Sequence, residues 1–427
     1  MSALSRRVVI TGIGILSPIG RDVASYWQSL QEGRSGIRPI QTFDASGLPV
    51  RFAGEIPDFN AKDYIEKKNH RGLKVMARTI QLAVAGAQRA LDEGKVDKSK
   101  LDPTRFGVEF GAGLIATELL DLAEAACLSA NCQPGHVDLE KWGEQGLPAI
   151  QPLWMLKYLP NMLACHVSIL HDARGPNNSI TESDVASLLA LGEAYRILLR
   201  DQADFFLVGG AESKLNPLSM VRQCLFEHLS HRNDEPAKAC RPFDRERDGL
   251  VLGEGVGVFV VEDLEHARRR GARIYAEIVG FGAAFDPELR GNGLARAVRA
   301  ALAEAGIGPE EVDHVNAHGL STRESDAWEA RNLQEVFGSC SAPVPVFAAK
   351  SYIGNLGAGG STTELAASVL AMSSGRMPPT LNCEQPDPDC PITVLTGEPR
   401  PLTRPHVVKV SFTQMGQCSA IIVRQWK

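Results

Sequence analysis

Short apolar runs and longer Ala- and Leu-rich stretches alternate through both halves of this chain. Short apolar runs bounded by glycine or proline are typical of buried strands, and apolar residues on one helical stripe indicate helices. Because parallel strands need crossovers and are buried on both faces, the alternation predicts an α/β fold with helices on both sides of a parallel sheet. Its recurrence predicts two pseudo-repeated halves that share one interface, residues 1–262 and 263–427. Strands are expected at 7–15, 106–113, 203–208, 252–261, 274–279, 312–316, 346–350, 407–412 and 420–424, and helices at 22–31, 73–93, 152–169, 185–199, 293–305, 326–337 and 362–374.

The composition excludes several classes of protein. A formal net charge of −6 gives no electrostatic footprint for nucleic acid. There is no apolar run long enough for a membrane span, and the strand that begins at Arg7 leaves no room for a signal peptide. The nine cysteines are an odd number without any CxxC pair, so neither disulfides nor a zinc site is expected. We therefore expect a cytoplasmic protein with reduced thiols and without a metal or cofactor.

Two further segments need an interpretation. Gly12-x-Gly14 after the first strand could form a dinucleotide loop, but the third glycine and the acidic residue about 20 positions later are not convincingly placed. The periodicity becomes irregular between residues 116 and 151, where Cys127 and Cys132 lie, and we interpret this segment as an insertion over the core.

The stretch from Gly175 to Ser187 predicts a sharp turn from a short strand into a helix. Such a nucleophile elbow presents the residue at its bend to a pocket, with the unpaired N–H groups of the helix behind it. The residue at this bend is Asp184. No cysteine occupies it, so a simple Cys-His hydrolase is not indicated.

Residues that follow the strands of the second half could carry chemistry. His318 comes directly after a strand, in a suitable place for a general base or an oxyanion donor. His314 is the weaker candidate because it lies inside the strand. Lys350 precedes a glycine-rich loop and could pair with Glu329 or Asp326.

Motifs from both halves carry a family resemblance: Val8-Val9-Ile10-Thr11-Gly12-Ile13-Gly14, Gly175-Pro176-Asn177-Asn178, Gly209-Gly210-Ala211-Glu212, Arg241-Pro242-Phe243-Asp244, Arg247-Asp248-Gly249, Asn316-Ala317-His318-Gly319, Ser321-Thr322, Asp326 and Lys350-Ser351. Together they resemble the elongating, type II β-ketoacyl-acyl-carrier-protein synthases over nearly the whole chain. The resemblance implies the thiolase fold, a layered α-β-α-β-α core, and an acyl-carrier protein as partner.

In that family a cysteine at the elbow takes the acyl chain, two histidines act on the thioesters, and a lysine–glutamate pair supports one histidine. The resemblance implies that His318 is the first histidine, Lys350 the lysine and Glu329 the glutamate. Asp184 stands at the position of the cysteine, and Asn355 at that of the second histidine.

The glycine-rich gate of the family is also changed, to Thr413-Gln414-Met415-Gly416. Because the mixed anhydride formed by an aspartate would lie uphill of a thioester, condensation by this chain alone is not expected. Asn355 retains one hydrogen-bond donor for an oxyanion, worth roughly 2.7–4 kcal/mol, but it cannot replace the nucleophile.

Three interpretations follow from these departures. The chain could resemble the chain-length-factor subunits of type II polyketide systems, which lack the cysteine and pair with an active ketosynthase. It could perform altered chemistry on an acyl thioester, such as decarboxylation, hydrolysis or acyl transfer, using His318 with Asp184 or Asn355. It could be a non-catalytic scaffold, or Ser183 could be the nucleophile one residue earlier. A homodimer or a heterodimer with a cysteine-bearing ketosynthase is expected.

Overall fold

A computed structural model describes residues 6–131 and 133–427 of the chain. Cys132 of the predicted insertion lies outside the described residues, as do residues 1–5 at the N-terminus. The strands are β1 Val8–Leu16, β2 Ile37–Pro39, β3 Phe52–Gly54, β4 Phe106–Gly111, β5 Asn177–Ile180, β6 Phe205–Glu212, β7 Gly255–Asp263, β8 Ala276–Phe285, β9 Val312–Asn316, β10 Val346–Phe347, β11 Arg376–Met377, β12 Arg400–Pro401, β13 His406–Phe412 and β14 Gln417–Gln425. The helices are α1 Val23–Gln31, α2 Arg78–Glu93, α3 Leu119–Ala130, α4 Leu139–Lys141, α5 Leu147–Ala149, α6 Met162–His171, α7 Ala186–Leu199, α8 Pro217–Phe226, α9 Leu264–Arg269, α10 Gly293–Ala305, α11 Arg323–Phe337, α12 Lys350–Ile353 and α13 Gly360–Ser374.

Ten strands form one sheet whose two halves repeat the same topology. The order is β10-β9-β13-β14-β8-β1-β7-β6-β4-β5. Each half is read outward from the middle of the sheet, as β1-β7-β6-β4-β5 in one half and β8-β14-β13-β9-β10 in the other. The two halves then have the same order along the chain. In each, the outer three strands are parallel to one another, and the inner neighbours are antiparallel. The predicted duplication is therefore present, although the sheet is mixed rather than parallel throughout. The boundary predicted at residue 262 stays a prediction.

Two helices lie between the halves of this sheet and form its central layer. α7 packs on β4 and β6 and also reaches β8 and β14, and α13 packs on β7 and β13. From Gly360 to Met372 every residue of α13 is buried. With α2 and α6 outside one half and α10 outside the other, the layers are α-β-α-β-α, as the thiolase fold requires.

Close packing explains the glycines of β1, since a Cβ at Gly14 would overlap the Gly86 carbonyl on α2. Gly12 and Gly14 both lie inside the strand, so no dinucleotide loop forms there. Among the described residues, no helix combines the length and the apolar character that crossing a bilayer requires.

Candidate active site

The predicted elbow lies between β5 and α7. A short turn, Ser183–Val185, joins them, and Ser183 adopts φ +48°, a left-handed conformation that costs a non-glycine residue about 1 kcal/mol or more. The backbone carbonyl of Asp184 accepts hydrogen bonds from Ser361 Oγ at 2.9 Å and from Ser411 Oγ at 3.1 Å. Asp184 Oδ1 is buried and accepts no hydrogen bond. The turn is thus fixed from α13 and β13, with a carboxylate at the bend.

His318 lies just beyond the end of β9 and is fully buried. Its Nδ1 is 3.2 Å from Lys350 Nζ and 3.3 Å from Ser411 Oγ. Because an ammonium group can only donate, Nδ1 is the acceptor and the imidazole proton is on Nε2. Burial lowers the pKa of His318 well below its ordinary value, and the charges of Lys350 and Lys409 lower it further. The Nε2–H donor has no hydrogen-bond partner.

Lys350 pairs with Glu364 on α13, not with Glu329 or Asp326 as the sequence analysis expected. The Nζ–Oε1 distance is 2.6 Å, and both side chains are buried. The other carboxylate oxygen of Glu364 contacts Lys409 Nζ at 2.5 Å. Burial alone would raise the pKa of Glu364, but the two ammonium groups lower it overall.

Glu329 instead stabilises the loop that carries His318. It accepts the backbone N–H of His318 at 2.6 Å and that of Gly319 at 2.8 Å, and burial raises its pKa to about 7. Asp326 lies beside it and accepts the backbone N–H of Ser321 at 3.1 Å. Both carboxylates therefore position backbone and do not pair with Lys350.

Asn355 stands at the start of the glycine-rich loop, after Gly354 at φ +74°. Its N–H donates to the Val251 carbonyl at 2.7 Å, and its Oδ1 accepts the N–H of Gly357 at 3.3 Å. The side-chain amide of Asn355 can donate a hydrogen bond only through Nδ2. The same loop leads to Ser361, whose Oγ donates to the Asp184 carbonyl.

His314 is a satisfied core residue. Its Nδ1 lies 3.0 Å from Asp313 Oδ1 and its Nε2 lies 2.9 Å from Ser368 Oγ. Both ring nitrogens are used, which agrees with its lower rank in the sequence analysis.

Polar and charged groups surround the approach to Asp184. The charge of Glu212, whose Oε1 is 3.3 Å from Lys214 Nζ, raises the pKa of Lys214, and the charge of Asp184 raises it further. Gln414 Nε2 donates to Glu227 Oε2 at 3.4 Å. The altered gate is a hairpin turn between β13 and β14, closed by the hydrogen bond from Thr413 N to the Gln417 carbonyl at 2.9 Å.

The described residues contain no group of three or more His, Cys, Asp or Glu side chains able to hold a metal ion. Among the described residues, four cysteines are buried, and burial raises the pKa of each thiol. They are Cys240, Cys383, Cys390 and Cys418. Such thiols are poor nucleophiles.

Comparison with known proteins shows the family of this chain. Residues 5–267 match the family model of the beta-ketoacyl synthase N-terminal domain, and residues 275–384 match that of the C-terminal domain. The chain belongs to the β-ketoacyl synthase family. It is 36% identical over 413 residues to 3-oxoacyl-[acyl-carrier-protein] synthase 2 of Synechocystis sp., covering 95% of each chain.

Solved structures of ketosynthases have the same fold as this β-ketoacyl synthase family member. The ishigamide ketosynthase/chain length factor matches with a TM-score of 0.86 and 30% identity, over 99% of this chain and 100% of that one. The AntDE:AntF complex, a type II polyketide acyl-carrier protein bound to its ketosynthase, matches with a TM-score of 0.85 and 27% identity, over 99% and 100% of the two chains.

Sequence reasoning missed Glu364 and Lys409. Each is the single Asp, Glu, Lys or Arg of a largely buried element, α13 or β13. A lone charge in a buried element needs a partner, since an unpaired ion in the interior costs several kcal/mol. That signal could have matched the two residues to each other and to Lys350.

Proposed function

We propose that this protein is a ketosynthase-family subunit of fatty acid or polyketide chain elongation that does not condense acyl chains alone. It acts as a chain length factor does, as the partner of a cysteine-bearing ketosynthase that receives thioesters from an acyl-carrier protein. The observation that carries the proposal is Asp184 at the bend of a well-formed elbow. A carboxylate there gives no stable acyl intermediate, because its anhydride would lie uphill of the incoming thioester.

The edge of the sheet next to the elbow supports the need for a second chain. β5 is the last strand, and Asn177 and Asn178 on it are exposed, which leaves backbone groups open to pairing. Ten of the sixteen exposed large apolar side chains of the described residues fall in segment 114–169, which includes α6 beside β5. They are Leu114, Leu119, Leu120, Leu128, Val137, Leu139, Leu147, Leu153, Met155 and Ile169. A concentration of exposed apolar side chains in one segment favours an interaction site there.

Two exposed positions of that segment provide a test of the interface. We expect Leu120→Asp combined with Ile169→Asp to weaken association by about 10- to 100-fold, because charged groups would have to be buried against the partner. Met415→Asp is the matched control, since Met415 is 74% exposed but lies on the β13–β14 turn. Sedimentation with a cysteine-bearing ketosynthase measures the association of the double variant and of the control. Equal association of the double variant and the wild type would exclude this surface.

Co-expression tests the subunit role itself. We expect the chain to co-purify as a stoichiometric complex with a cysteine-bearing ketosynthase and to change the chain length of its products. A stable homodimer that turns over malonyl-carrier protein without any partner would overturn the proposal.

His318 favours a second candidate, decarboxylation of a malonyl thioester. Its uncharged ring keeps an unpaired Nε2–H donor, which can stabilise the enolate oxygen that receives the electron pair when the C–C bond to carbon dioxide breaks. Solvent then protonates the enolate to the acetyl thioester. This chemistry needs no nucleophile at Asp184.

Loss of the imidazole separates this candidate from a scaffold role. If the purified chain releases carbon dioxide from malonyl-carrier protein, we expect His318→Ala to lower the rate by about 10²–10³-fold. His314→Ala is the control, because both ring nitrogens of His314 are used in the core. Release that is unchanged in His318→Ala would rule this candidate out.

A further inference from the structure

Lys409 is a fully buried lysine on β13. Its Nζ donates to the Ala317 carbonyl at 2.8 Å and contacts Glu364 at 2.5 Å. Burying an ammonium ion costs several kcal/mol unless it is well paired, and here Glu364 must already serve Lys350. A methionine or leucine would fill the same space at lower cost, so the charge itself requires a reason.

The position of Lys409 points to His318. Ala317 immediately precedes His318, and its carbonyl is held by Lys409 while its N–H donates to the Phe347 carbonyl at 2.8 Å. Glu329 holds the next two backbone N–H groups. Lys409 therefore supplies the fixed point on the β13 side of the segment that carries the imidazole.

Lys409 also determines which hydrogen bonds Lys350 makes. Each carboxylate oxygen of Glu364 pairs with one ammonium group: Oε1 with that of Lys350 and Oε2 with that of Lys409. With Oε2 occupied, Lys350 bonds only to Oε1 and turns another N–H toward His318 Nδ1, 3.2 Å away.

The charged groups around His318 come from several elements. They are Lys350 on α12, Lys409 on β13, Glu364 on α13, Glu329 on α11 with Asp326 beside it, and Asp184 in the Ser183–Val185 turn, where Ser411 Oγ contacts both its carbonyl and His318 Nδ1. The two lysines share one carboxylate between them, so both oppose a positive charge on the imidazole.

We propose that Lys409 is a positioning residue that fixes His318 as a neutral imidazole with its proton on Nε2. It does so by holding the Ala317 carbonyl and by sharing Glu364 with Lys350. The role is independent of whether the chain acts as a chain length factor.

The unmodified protein provides the first test. In protein labelled with ¹⁵N-histidine, with His318 assigned from its missing signals in His318→Gln, we expect the Nε2–H tautomer without imidazolium down to about pH 6. Burial lowers the pKa of Lys409 to about 8, so the Nδ1 signal of His318 should shift around that pH as the ammonium loses its proton. An imidazolium signal at about pH 6, or an Nδ1 signal that stays constant while the ¹⁵N-labelled ammonium group of Lys409 is seen to lose its proton, would overturn the proposal.

Variants provide the second test. We expect Lys409→Met to raise the pKa of His318 by about one unit or more, and Lys409→Arg to keep the wild-type tautomer. Val407→Ala, on the same strand and also fully buried, should lower the melting temperature without changing the titration of His318. A folded Lys409→Met protein with the wild-type tautomer and titration would show that Lys409 only packs; if this variant does not fold, the test on the unmodified protein decides.

Discussion

Replacing Asp184 by cysteine is expected to convert a protein that takes no acyl group into one that is acylated as its major species. The elbow already has the required shape, and the N–H groups at the start of α7 lower the pKa of a thiol placed there. Intact-mass spectrometry after incubation with an acyl-carrier protein thioester measures the change. The wild type should keep its mass, and Asp184→Cys should gain one acyl group.

The neighbouring residue supplies the control for this experiment. Ser183 is the alternative nucleophile, but its left-handed backbone at φ +48° serves to turn the chain. Ser183→Gly tolerates that conformation, so Ser183→Gly combined with Asp184→Cys should still be acylated. An acyl adduct on Ser183 of the wild type would show that the nucleophile lies one residue earlier and that Asp184 does not disable the elbow.

Replacing Glu364 by glutamine is expected to lower the free energy of unfolding by about 3–5 kcal/mol, because two buried ammonium groups then lose their shared counter-ion. Urea denaturation at neutral pH measures the loss. Glu335→Gln is the matched control: Glu335 pairs with Arg299 at 2.7 Å, but both side chains are more than 40% exposed. An exposed pair contributes about 1 kcal/mol or less.

The effect of Glu364 should also depend on pH. Its pKa is lowered in the folded protein, so the carboxylate stabilises the fold above its unfolded pKa, about 4.3. The contribution is lost as the pH falls through the folded pKa, and wild type and Glu364→Gln should converge in acid. A loss in Glu364→Gln no larger than that in Glu335→Gln would mean that the two lysines do not depend on this carboxylate.

Strong local periodicity made much of the fold predictable. The helix at 293–305 and the strand at 312–316 have the predicted bounds, and the helix has a regular apolar stripe closed by Gly306. The strand directions were harder to predict from the sequence, because buried antiparallel strands such as β1 and β7 are as apolar as parallel ones. The strand expected at 346–350 ends at Phe347, and Lys350 begins a short helix.

At the site, the sequence located the groups that follow strands or turns but not their pairing. Asp184 follows a predicted turn and His318 a predicted strand, whereas Asn355 was identified only through the family resemblance. The ion pair of Lys350 was wrongly assigned to Glu329 or Asp326 on α11, whereas Glu364 reaches Lys350 from α13. Which of two buried carboxylates meets a lysine depends on helix rotation and packing, which a single sequence does not specify.

The most direct test of the central claim is a condensation assay. The purified chain would be incubated with acyl- and malonyl-carrier protein, alone and with a cysteine-bearing ketosynthase, and the products identified by mass spectrometry. We expect no β-ketoacyl product from the chain alone and elongated product from the pair. Formation of β-ketoacyl product by the chain alone, with Asp184 intact, would contradict the account.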